Sequence, residues 1–296
     1  MKTQMKGNLL AAFSFLLWGV LPLYYQFLPG AEIFELLAYR VLFSVPVMLL
    51  ILTLLGRRLD WHAIVADKRS VMMALVASCI MCVSWCAFTI ALTHGQVLAA
   101  SLGFFINPLF AIALGVLFLK DRLSHGQAAA VLLGISGIVY QVWVYGELPI
   151  LALVMGSFFA LYGLAKKFIR FDALTSVTIE AMWLAPLALV YLIYLVVTGK
   201  SQSMDSWQTI LLYIGSAPVT LLPLVFFAMA IIRTTLTNIG LMQYIEPSVQ
   251  FLLAIMLFGE VFDEVKLVSF SLIWAGLLIC TLEALPWHKR KRAAHR

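Results

Sequence analysis

The sequence predicts an all-α integral membrane protein of ten transmembrane helices, arranged as two inverted five-helix repeats. Three observations support this prediction. Hydrophobic residues make up 63% and charged residues 11% of the 296 positions, with a mean hydropathy of +1.01. Long apolar runs recur along the chain, and two of them share a proline and an acidic residue at the same spacing. Soluble chains average about 25% charged residues, so a water-soluble globule is excluded.

Ten apolar stretches lie between polar segments, each close to the roughly 20 residues that a spanning helix needs. They cover residues 8–28, 33–55, 71–93, 98–119, 127–145, 149–165, 175–198, 208–230, 236–258 and 266–285. Continuous runs such as Val41–Leu55 favour helices over the alternating pattern of a barrel strand. We assign residues 1–147 to the first repeat, 148–287 to the second and 288–296 to a basic cytoplasmic tail, with no separate soluble domain.

The first, third and fifth of these stretches have features that require a separate interpretation. The first follows Lys2 and Lys6, but it is longer than a signal-peptide core and lacks a small-x-small cleavage site. The third carries Cys79, Cys82 and Cys86 on one helical face. We interpret them as packing residues, since no second cluster completes a metal ligand set, and no metal or cofactor is predicted. The fifth is rich in glycine and alanine, which is typical of a close-packing helix.

The distribution of basic residues predicts the orientation. With the N-terminus inside, 17 of the 20 Lys and Arg residues fall in cytoplasmic segments, while Lys200 and Lys266 fall outside and Arg40 lies within a span. Both termini are therefore predicted to be cytoplasmic. The net charge of +6 is explained as a topology signal rather than a nucleic-acid footprint. Because each half has five spans, an odd number, the second half enters the membrane with the opposite polarity.

The internal repeat is visible in matched positions. The same offset along the chain that places Pro108 on Pro247 also places Asp121 on Glu260 and Asn107 on Glu246. Inverted repeats are a recurring architecture of secondary transporters, whose substrate site lies near the midplane between the halves. A mid-span proline removes a backbone hydrogen bond and bends its helix, so matched prolines predict kinks beside a central cavity. The predicted kink residues are Pro46, Pro108, Pro186 and Pro247.

Charged residues within spans indicate where function lies, because a charge in hydrocarbon costs at least about 2.5 kcal/mol. Arg40, Glu180 and Glu246 are the three candidates, and the offset that aligns Pro46 with Pro186 also places Arg40 on Glu180. One interpretation is that Arg40 and Glu180 form an ion pair between the halves. The other is that at least one of them contacts substrate or a coupling proton. Gln243 and Gln250 share a helical face with Glu246, which predicts a polar cavity wall.

Aromatic residues deep in the spans either pack between helices or line an amphipathic cavity, and the sequence leaves both open. Aromatics near span ends, including Tyr25, are interpreted as interfacial belt residues. The predicted substrate-binding set is Trp18, Tyr39, Arg40, Trp85, Phe105, Asn107, Glu180, Trp183, Gln243, Tyr244 and Glu246.

Several short motifs together resemble a known family. The segments ASLGFFINPL (100–109), LMQYIEPS (241–248), WG (18–19), AYR (38–40) and YG (162–163) are similar to the RarD-type permeases, within the EamA-like branch of the drug/metabolite transporter superfamily. The resemblance covers nearly the whole chain. It implies a bacterial inner-membrane protein in which helices 1–4 and 6–9 surround a central cavity and helices 5 and 10 lie at the periphery. Members are described as exporters of drugs or metabolites.

The function favoured by these features is secondary active transport by alternating access of a small amphipathic metabolite or drug, in the direction of export. The alternative is a passive channel or facilitator for small polar solutes. An enzyme is not predicted, since the chain lacks an H-E-x-x-H motif and a histidine deep in a span. It also lacks a nucleotide-binding G-x-x-x-x-G-K-[ST] motif. The expected partners are the substrate and the lipid bilayer, with proton coupling and oligomeric state open.

Overall fold

The computed structural model describes residues 2–28, 30–93, 97–146, 150–257 and 264–284. Within these ranges the chain forms helices, one short 3-10 turn at Ser203–Asp205 and no strand, which confirms the all-α prediction. The helices are α1 (Lys2–Gly19), α2 (Pro22–Tyr25), α3 (Ile33–Leu54), α4 (Trp61–Ala66), α5 (Lys68–Thr93), α6 (Val97–Leu119), α7 (His125–Tyr145), α8 (Ile150–Lys166), α9 (Ala173–Val197), α10 (Trp207–Ile231), α11 (Leu236–Gln243), α12 (Ile245–Met256) and α13 (Glu264–Ala284).

Seven helical stretches among the described residues are long and apolar enough to cross a membrane. They are Thr3–Tyr25, Ile33–Leu54, Lys68–Ala91, His125–Tyr145, Ala173–Val197, Trp207–Ile231 and Glu264–Glu283. Two shorter apolar helices cover Gly103–Leu119 and Ile150–Lys166. The chain is therefore a multi-pass membrane protein, while the count of ten spans stays a prediction.

Two acidic N-caps define where a helix of each half begins. Glu32 accepts hydrogen bonds from the backbone N–H groups of Phe34 (3.1 Å) and Glu35 at the start of α3. Asp172 accepts from Leu174 (3.1 Å) and Thr175 at the start of α9. Burial alone would raise the pKa of Asp172, but hydrogen bonds from Thr175 and the charge of Arg57 bring it below its ordinary value. Caps of this kind stabilise helix starts by about 1 kcal/mol.

The first and last residues of several helices repeat at the same offsets that align the prolines and the charged residues in the sequence. The offset that places Pro108 on Pro247 also places both ends of α7 on those of α13, and the start of α6 on the start of α11. The offset that places Arg40 on Glu180 also places the start of α3, with its cap Glu32, on the start of α9, with its cap Asp172. This recurrence is what an internal duplication requires. Glu260, the predicted partner of Asp121, lies outside the described residues.

The described helices form a closed ring in which the two halves alternate. Going round the ring, α1 packs against α10, α10 against α3, α3 against α9 and α9 against α5; α5 then packs against α8, α8 against α6, and α6 against α11, which returns to α1. Each neighbour in this sequence comes from the other side of residue 147. The helices α7 and α13 pack against each other outside the ring, and α12 continues α11 alongside α1.

The four predicted kink prolines differ in whether a helix break accompanies them. Pro46, Pro108 and Pro186 lie inside continuous helices. The chain before Pro247 is broken at Tyr244, between α11 and α12. A proline at 247 has no N–H for the Gln243 carbonyl four residues earlier, so the break occurs where the helix has lost a hydrogen bond. The stretch around Pro108 is thus one continuous helix, and the stretch around Pro247 is a discontinuous pair of helices.

The crossing of α6 and α11 is unusually close at Gly240. A Cβ atom at this position would lie 2.7 Å from the Pro108 carbonyl oxygen and 2.8 Å from Ile112 Cγ1. The carbonyl oxygen belongs to the backbone and cannot move aside as a flexible side chain could. Only glycine lets the two helices meet here, and this contact positions α11 against α6.

Candidate functional site

A cavity of about 220 Å³ lies between the two halves. Helices α1, α2, α3, α5, α6, α8, α10 and α12 all contribute to its wall. Five residues of the predicted set line it, namely Trp18, Arg40, Trp85, Asn107 and Glu246. Small-molecule sites commonly have volumes of about 300–1,000 Å³, so this cavity is suited to a small solute.

One wall of the cavity carries a guanidinium with unused donors. The Arg40 Cζ atom lies 4.3 Å from the centre of the Trp85 ring, in a cation–π contact. Arg40 Nη1 donates a long hydrogen bond of 3.5 Å to the Tyr25 hydroxyl. Its Nε is buried and has no partner among the described residues, where Arg40 also forms no ion pair. Arg40 therefore lines the cavity without a counter-ion among the described residues.

The wall formed by α6 and α12 carries acceptors. Asn107 is 8% exposed, and its Oδ1 atom has no hydrogen-bond partner within the described residues. Glu246 Oε1 accepts a weak hydrogen bond of 3.4 Å from Gln250 Nε2. The backbone N–H of Asn107 is held close to α8, since a Cβ at Gly156 would lie 3.0 Å from it. In the ring, α6 lies across from α3, which carries Arg40.

An aromatic cluster closes the cavity on the side where α1 begins. Trp18 on the cavity wall contacts Phe159, with ring centroids 5.9 Å apart, and Phe227 at the same distance. Phe15 packs behind Trp18 at 5.5 Å, and Tyr162 stacks on Phe227 at 5.9 Å. Phe15 precedes Trp18 in α1 and Tyr162 lies near the end of α8, so the cluster extends toward the α1 N-terminus.

Glu180 lies in a side pocket of about 40 Å³ that shares Ser44 and Trp85 with the main cavity. Lys166 Nζ lies 2.6 Å from Glu180 Oε1 in a buried ion pair. The structure thus contradicts the interpretation that Arg40 and Glu180 pair directly. Glu180 has a nearer cation on the preceding helix, and Arg40 stacks on Trp85 instead.

Two hydroxyl groups also donate hydrogen bonds to the Glu180 carboxylate. The Tyr162 hydroxyl donates to Glu180 Oε2 at 2.8 Å, and the Ser176 hydroxyl donates to Oε1 at 2.7 Å. Lys166 Nζ also donates to Ser176 Oγ at 2.9 Å. Both charges are satisfied by the protein itself, which is the arrangement of a structural pair.

Lys166 is one of the 17 basic residues that the sequence analysis assigns to cytoplasmic segments, and its side chain is buried. The charge count groups it with Lys167 and Arg170 as a cytoplasmic loop charge, yet Lys166 is 3% exposed. A Lys-Lys doublet after an apolar run has the pattern of a membrane-edge anchor. Nothing in the sequence pattern distinguishes Lys166, whose side chain is buried, from the adjacent Lys167.

Six members of the predicted set do not line the main cavity. Tyr39 bonds Ser203 at 2.9 Å, Phe105 packs on Phe270 at 4.7 Å, and Trp183 is 43% exposed. Glu180 occupies the side pocket, while Tyr244 and Gln243 are buried elsewhere. Successive residues of a helix point about 100° apart, so Tyr39, next to Arg40, and Phe105 and Tyr244, two positions before Asn107 and Glu246, point in other directions. The break at Tyr244 separates Gln243 from the face of Glu246 and Gln250.

The sequence analysis misses other lining residues. Tyr25 is interpreted there as a belt residue, Gly103 and Phe104 appear only within the ASLGFFINPL motif, and the other residues have no signal beyond their position in or beside a span. They are Leu21, Pro22, Ser44, Ser84, Phe88, Gly103, Phe104, Met155, Gly156, Phe159, Thr220, Leu221 and Leu224, while Gln250 is predicted as part of a polar wall.

A buried carboxylate joins the halves at the opposite end of the ring. Glu35, fully buried in α3, accepts hydrogen bonds from the Gln202 N–H (2.8 Å) and the Ser203 N–H (3.3 Å). The hydroxyls of Ser201 (2.5 Å) and Ser203 (2.8 Å) also donate to it. One side chain therefore holds the loop between α9 and α10.

Replacing Glu35 by Leu should lower the free energy of unfolding by about 1–3 kcal/mol for each N–H group left unpaired. Denaturant unfolding of the purified protein in detergent measures the loss. The control is Asp205→Asn, an exposed carboxylate in the same loop, which should change stability little. Equal stabilities of Glu35→Leu and the parent chain would contradict a role for Glu35 in holding the loop.

The matching family model and the similar proteins indicate a transporter. Residues 5–143 match the model of the EamA-like transporter family. The chain is 38% identical to an uncharacterized transporter of Vibrio cholerae, over 97% of this chain and 96% of that protein. It is 34% identical to the protein RarD of Escherichia coli, over 98% of both. A solved crystal structure has a TM-score of 0.73 at 16% identity, over 94% of this chain and 99% of that one, which shows a shared fold.

Proposed function

The chain belongs to the EamA-like transporter family, in its RarD-type branch, and we propose on this basis that it is a secondary active transporter working by alternating access. Its cargo is a small amphipathic metabolite or drug, which it moves across the bacterial inner membrane in the direction of export. The observation that carries the proposal is a central cavity lined by both halves, in which Arg40 and Asn107 keep unpartnered polar atoms among the described residues.

The geometry of the barrier favours a carrier over a channel. The aromatic cluster of Trp18, Phe159 and Phe227 closes one end of the cavity with side chains from both halves. A channel would need a continuous polar path, whereas a carrier alternates which end is closed. Rocking one half against the other would separate Trp18 from Phe159 and Phe227, because α1 belongs to one half and α8 and α10 to the other.

The experiment that separates the two functions uses protein reconstituted in liposomes. Solutes that raise the melting temperature of the purified protein are first selected, since ligands that bind the native state stabilise it. A carrier should then show counterflow, with labelled solute accumulating against its own gradient when unlabelled solute is trapped inside. Passive equilibration without trans-stimulation, together with single-channel currents, would support the channel or facilitator.

The proposed topology has ten spans in two inverted repeats with both termini in the cytoplasm. The recurring helix bounds and the alternating ring support it. Reporter fusions made after Ser203 are expected to face outward, and fusions at the C-terminus are expected to face inward. An outward C-terminus would contradict both the span count and the inversion.

The break before Pro247 should matter for transport. Pro247→Ala restores the missing N–H and favours a continuous helix through Tyr244, so we expect slower counterflow from a folded, inserted protein. Pro108→Ala is the matched comparison, and because its helix is already continuous we expect a smaller loss. Equal transport by Pro247→Ala and the parent chain would show that the break is only a packing feature.

A further inference from the structure

We propose that a basic surface around the short helix α4 binds the headgroup of an anionic phospholipid. This α4 surface is formed by α4 and by the chain segments that meet it, where α3 ends, α5 begins and α8 leads into α9. Its cations are all exposed, and they are Arg57, Arg58, Lys68, Arg69 and Arg170. None of them lines the central cavity, so the inference does not depend on the proposed transport function.

Polar and apolar contacts hold the segments of the α4 surface together. Arg57 Nη1 lies 3.2 Å from Asp172 Oδ1, which joins the end of α3 to the start of α9. The Arg170 backbone N–H donates to Ser70 Oγ at 3.0 Å, which joins the connection between α8 and α9 to α5. Ile64 of α4 is 5% exposed and packs in the hydrophobic core. The cations therefore belong to one packed unit.

The acidic residues of the α4 surface already serve helix N-termini. Asp60 accepts a hydrogen bond from the Ala63 N–H at 3.0 Å, at the start of α4. Asp67 accepts from the N–H and the hydroxyl of Ser70, at 3.1 and 2.7 Å, at the start of α5. Asp172 caps α9. A helix N-terminus carries a partial positive charge that such a carboxylate offsets, so five cations against these three acids leave a positive excess.

This positive excess lacks a partner in the protein. Apart from Arg57, the cations of the α4 surface form no ion pair among the described residues. Arg170 and Arg69 act on the same carboxylate: hydrogen bonds from Ser70 lower the pKa of Asp67 below its ordinary value, and the charges of these two arginines lower it further. A lipid phosphate supplies the missing anion, and its oxygens accept hydrogen bonds from guanidinium groups.

Exposed apolar residues next to the cations favour a lipid over a soluble anion. Lys68, Met72 and Val76 follow one face of α5 at i, i+4 and i+8, and Met72 is 58% and Val76 39% exposed. On α4, Trp61 and Val65 share a face and are 52% and 65% exposed. Tryptophan is enriched where membrane meets water, and basic residues beside an exposed apolar face are typical of a helix that lies in that interface. A soluble anion would use the cations alone.

The segment that the predicted repeat aligns with α4 has a different charge. The offset that places Arg40 on Glu180 places α4 on residues 201–206. This loop contains Asp205, follows Lys200, and is held by the buried carboxylate of Glu35. The basic excess is therefore a feature of one end of the molecule, the end that the loop charges predict to be cytoplasmic. Anionic lipids attract basic residues at that leaflet.

The test measures lipid binding to the full-length, delipidated protein by native mass spectrometry from detergent. The probes are dioleoyl phosphatidylglycerol, which is anionic; dioleoyl phosphatidylcholine, which has the same acyl chains and no net charge; and glycerol 3-phosphate, which has the phosphate and no acyl chain. We expect saturable binding of phosphatidylglycerol, and binding of each of the other two that is about 10- to 100-fold weaker.

Variants locate the binding surface. Arg58→Gln and Arg69→Gln should each weaken phosphatidylglycerol binding about fivefold, and the double variant about 25-fold, with phosphatidylcholine binding unchanged. Arg122→Gln is the matched control, because it removes an exposed arginine on the same predicted face, in the loop between α6 and α7. It should leave lipid binding unchanged. The midpoint of unfolding without lipid should match that of the parent chain for all four variants, since their side chains are exposed.

Three results would overturn the inference. Equal binding of phosphatidylcholine and phosphatidylglycerol would mean that the cations do not select the headgroup. An equal loss in Arg122→Gln and Arg58→Gln would mean that lipids respond to total charge and not to the α4 surface. Glycerol 3-phosphate that binds as tightly as phosphatidylglycerol would identify a site for a soluble phosphate instead of a lipid.

Discussion

Replacing Lys166 by Met, or Glu180 by Leu, should each lower the free energy of unfolding by about 3–5 kcal/mol, because each change leaves the opposite charge buried without its counter-ion. The pair is 2.6 Å long, with side-chain exposures of 2% for Lys166 and 8% for Glu180. Water cannot take the place of the lost partner at this depth. Denaturant unfolding in detergent micelles measures the loss for each variant.

The double variant Lys166→Met/Glu180→Leu should recover most of the stability, since an apolar pair of similar volume can replace a buried ion pair at little cost. The Arg57–Asp172 pair is the control; it is 3.2 Å long and exposed, with side-chain exposures of 51% and 41%. Arg57→Gln should therefore cost no more than about 1 kcal/mol. Additive losses at positions 166 and 180 would mean that the two charges do not stabilise each other.

Gly240→Leu should abolish counterflow and lower the free energy of unfolding by about 1–3 kcal/mol, the usual range for overpacking. The new side chain would begin 2.7 Å from the Pro108 carbonyl oxygen, so α11 would have to move away from α6. That movement shifts the break at Tyr244 and, with it, Glu246 on the cavity wall. Counterflow in liposomes and unfolding in detergent measure the two effects.

Ser136→Leu is the control for Gly240→Leu, because it adds a leucine at an exposed position of α7, outside the ring. We expect it to leave both transport and stability close to those of the parent chain. Normal counterflow by a folded Gly240→Leu variant would contradict the view that the α6–α11 crossing positions the cavity.

The two charges that the predicted repeat aligns, Arg40 and Glu180, have different environments. Glu180 is held by Lys166, Tyr162 and Ser176, whereas Arg40 has an aromatic ring and a distant hydroxyl. An inverted repeat relates backbone positions, but it does not require that the side chains share a partner. Glu180 therefore has its counter-ion within the protein, whereas Arg40 has none among the described residues.

The sequence alone identifies a multi-pass membrane protein, because the length and composition of an apolar stretch are properties of consecutive residues. A helix must be about 20 apolar residues long to cross a bilayer, and the composition leaves no water-soluble alternative. The offset that aligns Pro108 with Pro247 is likewise a property of positions along the chain. Arg40, Asn107 and Glu246 were found in the same way, since a polar group within an apolar run is visible without a structure.

Only the tertiary structure decided which polar groups face each other. Lys166 and Lys167 are adjacent in the sequence, yet Lys166 reaches Glu180 while Lys167 binds the Thr234 backbone carbonyl. Tyr39 and Arg40 are also adjacent, and about 100° of helical rotation sends Tyr39 to Ser203 and Arg40 to the cavity. The physical reason is that helix rotation and ring order depend on close packing between distant segments, such as Gly240 on Pro108, and those contacts leave no periodic signal in the sequence.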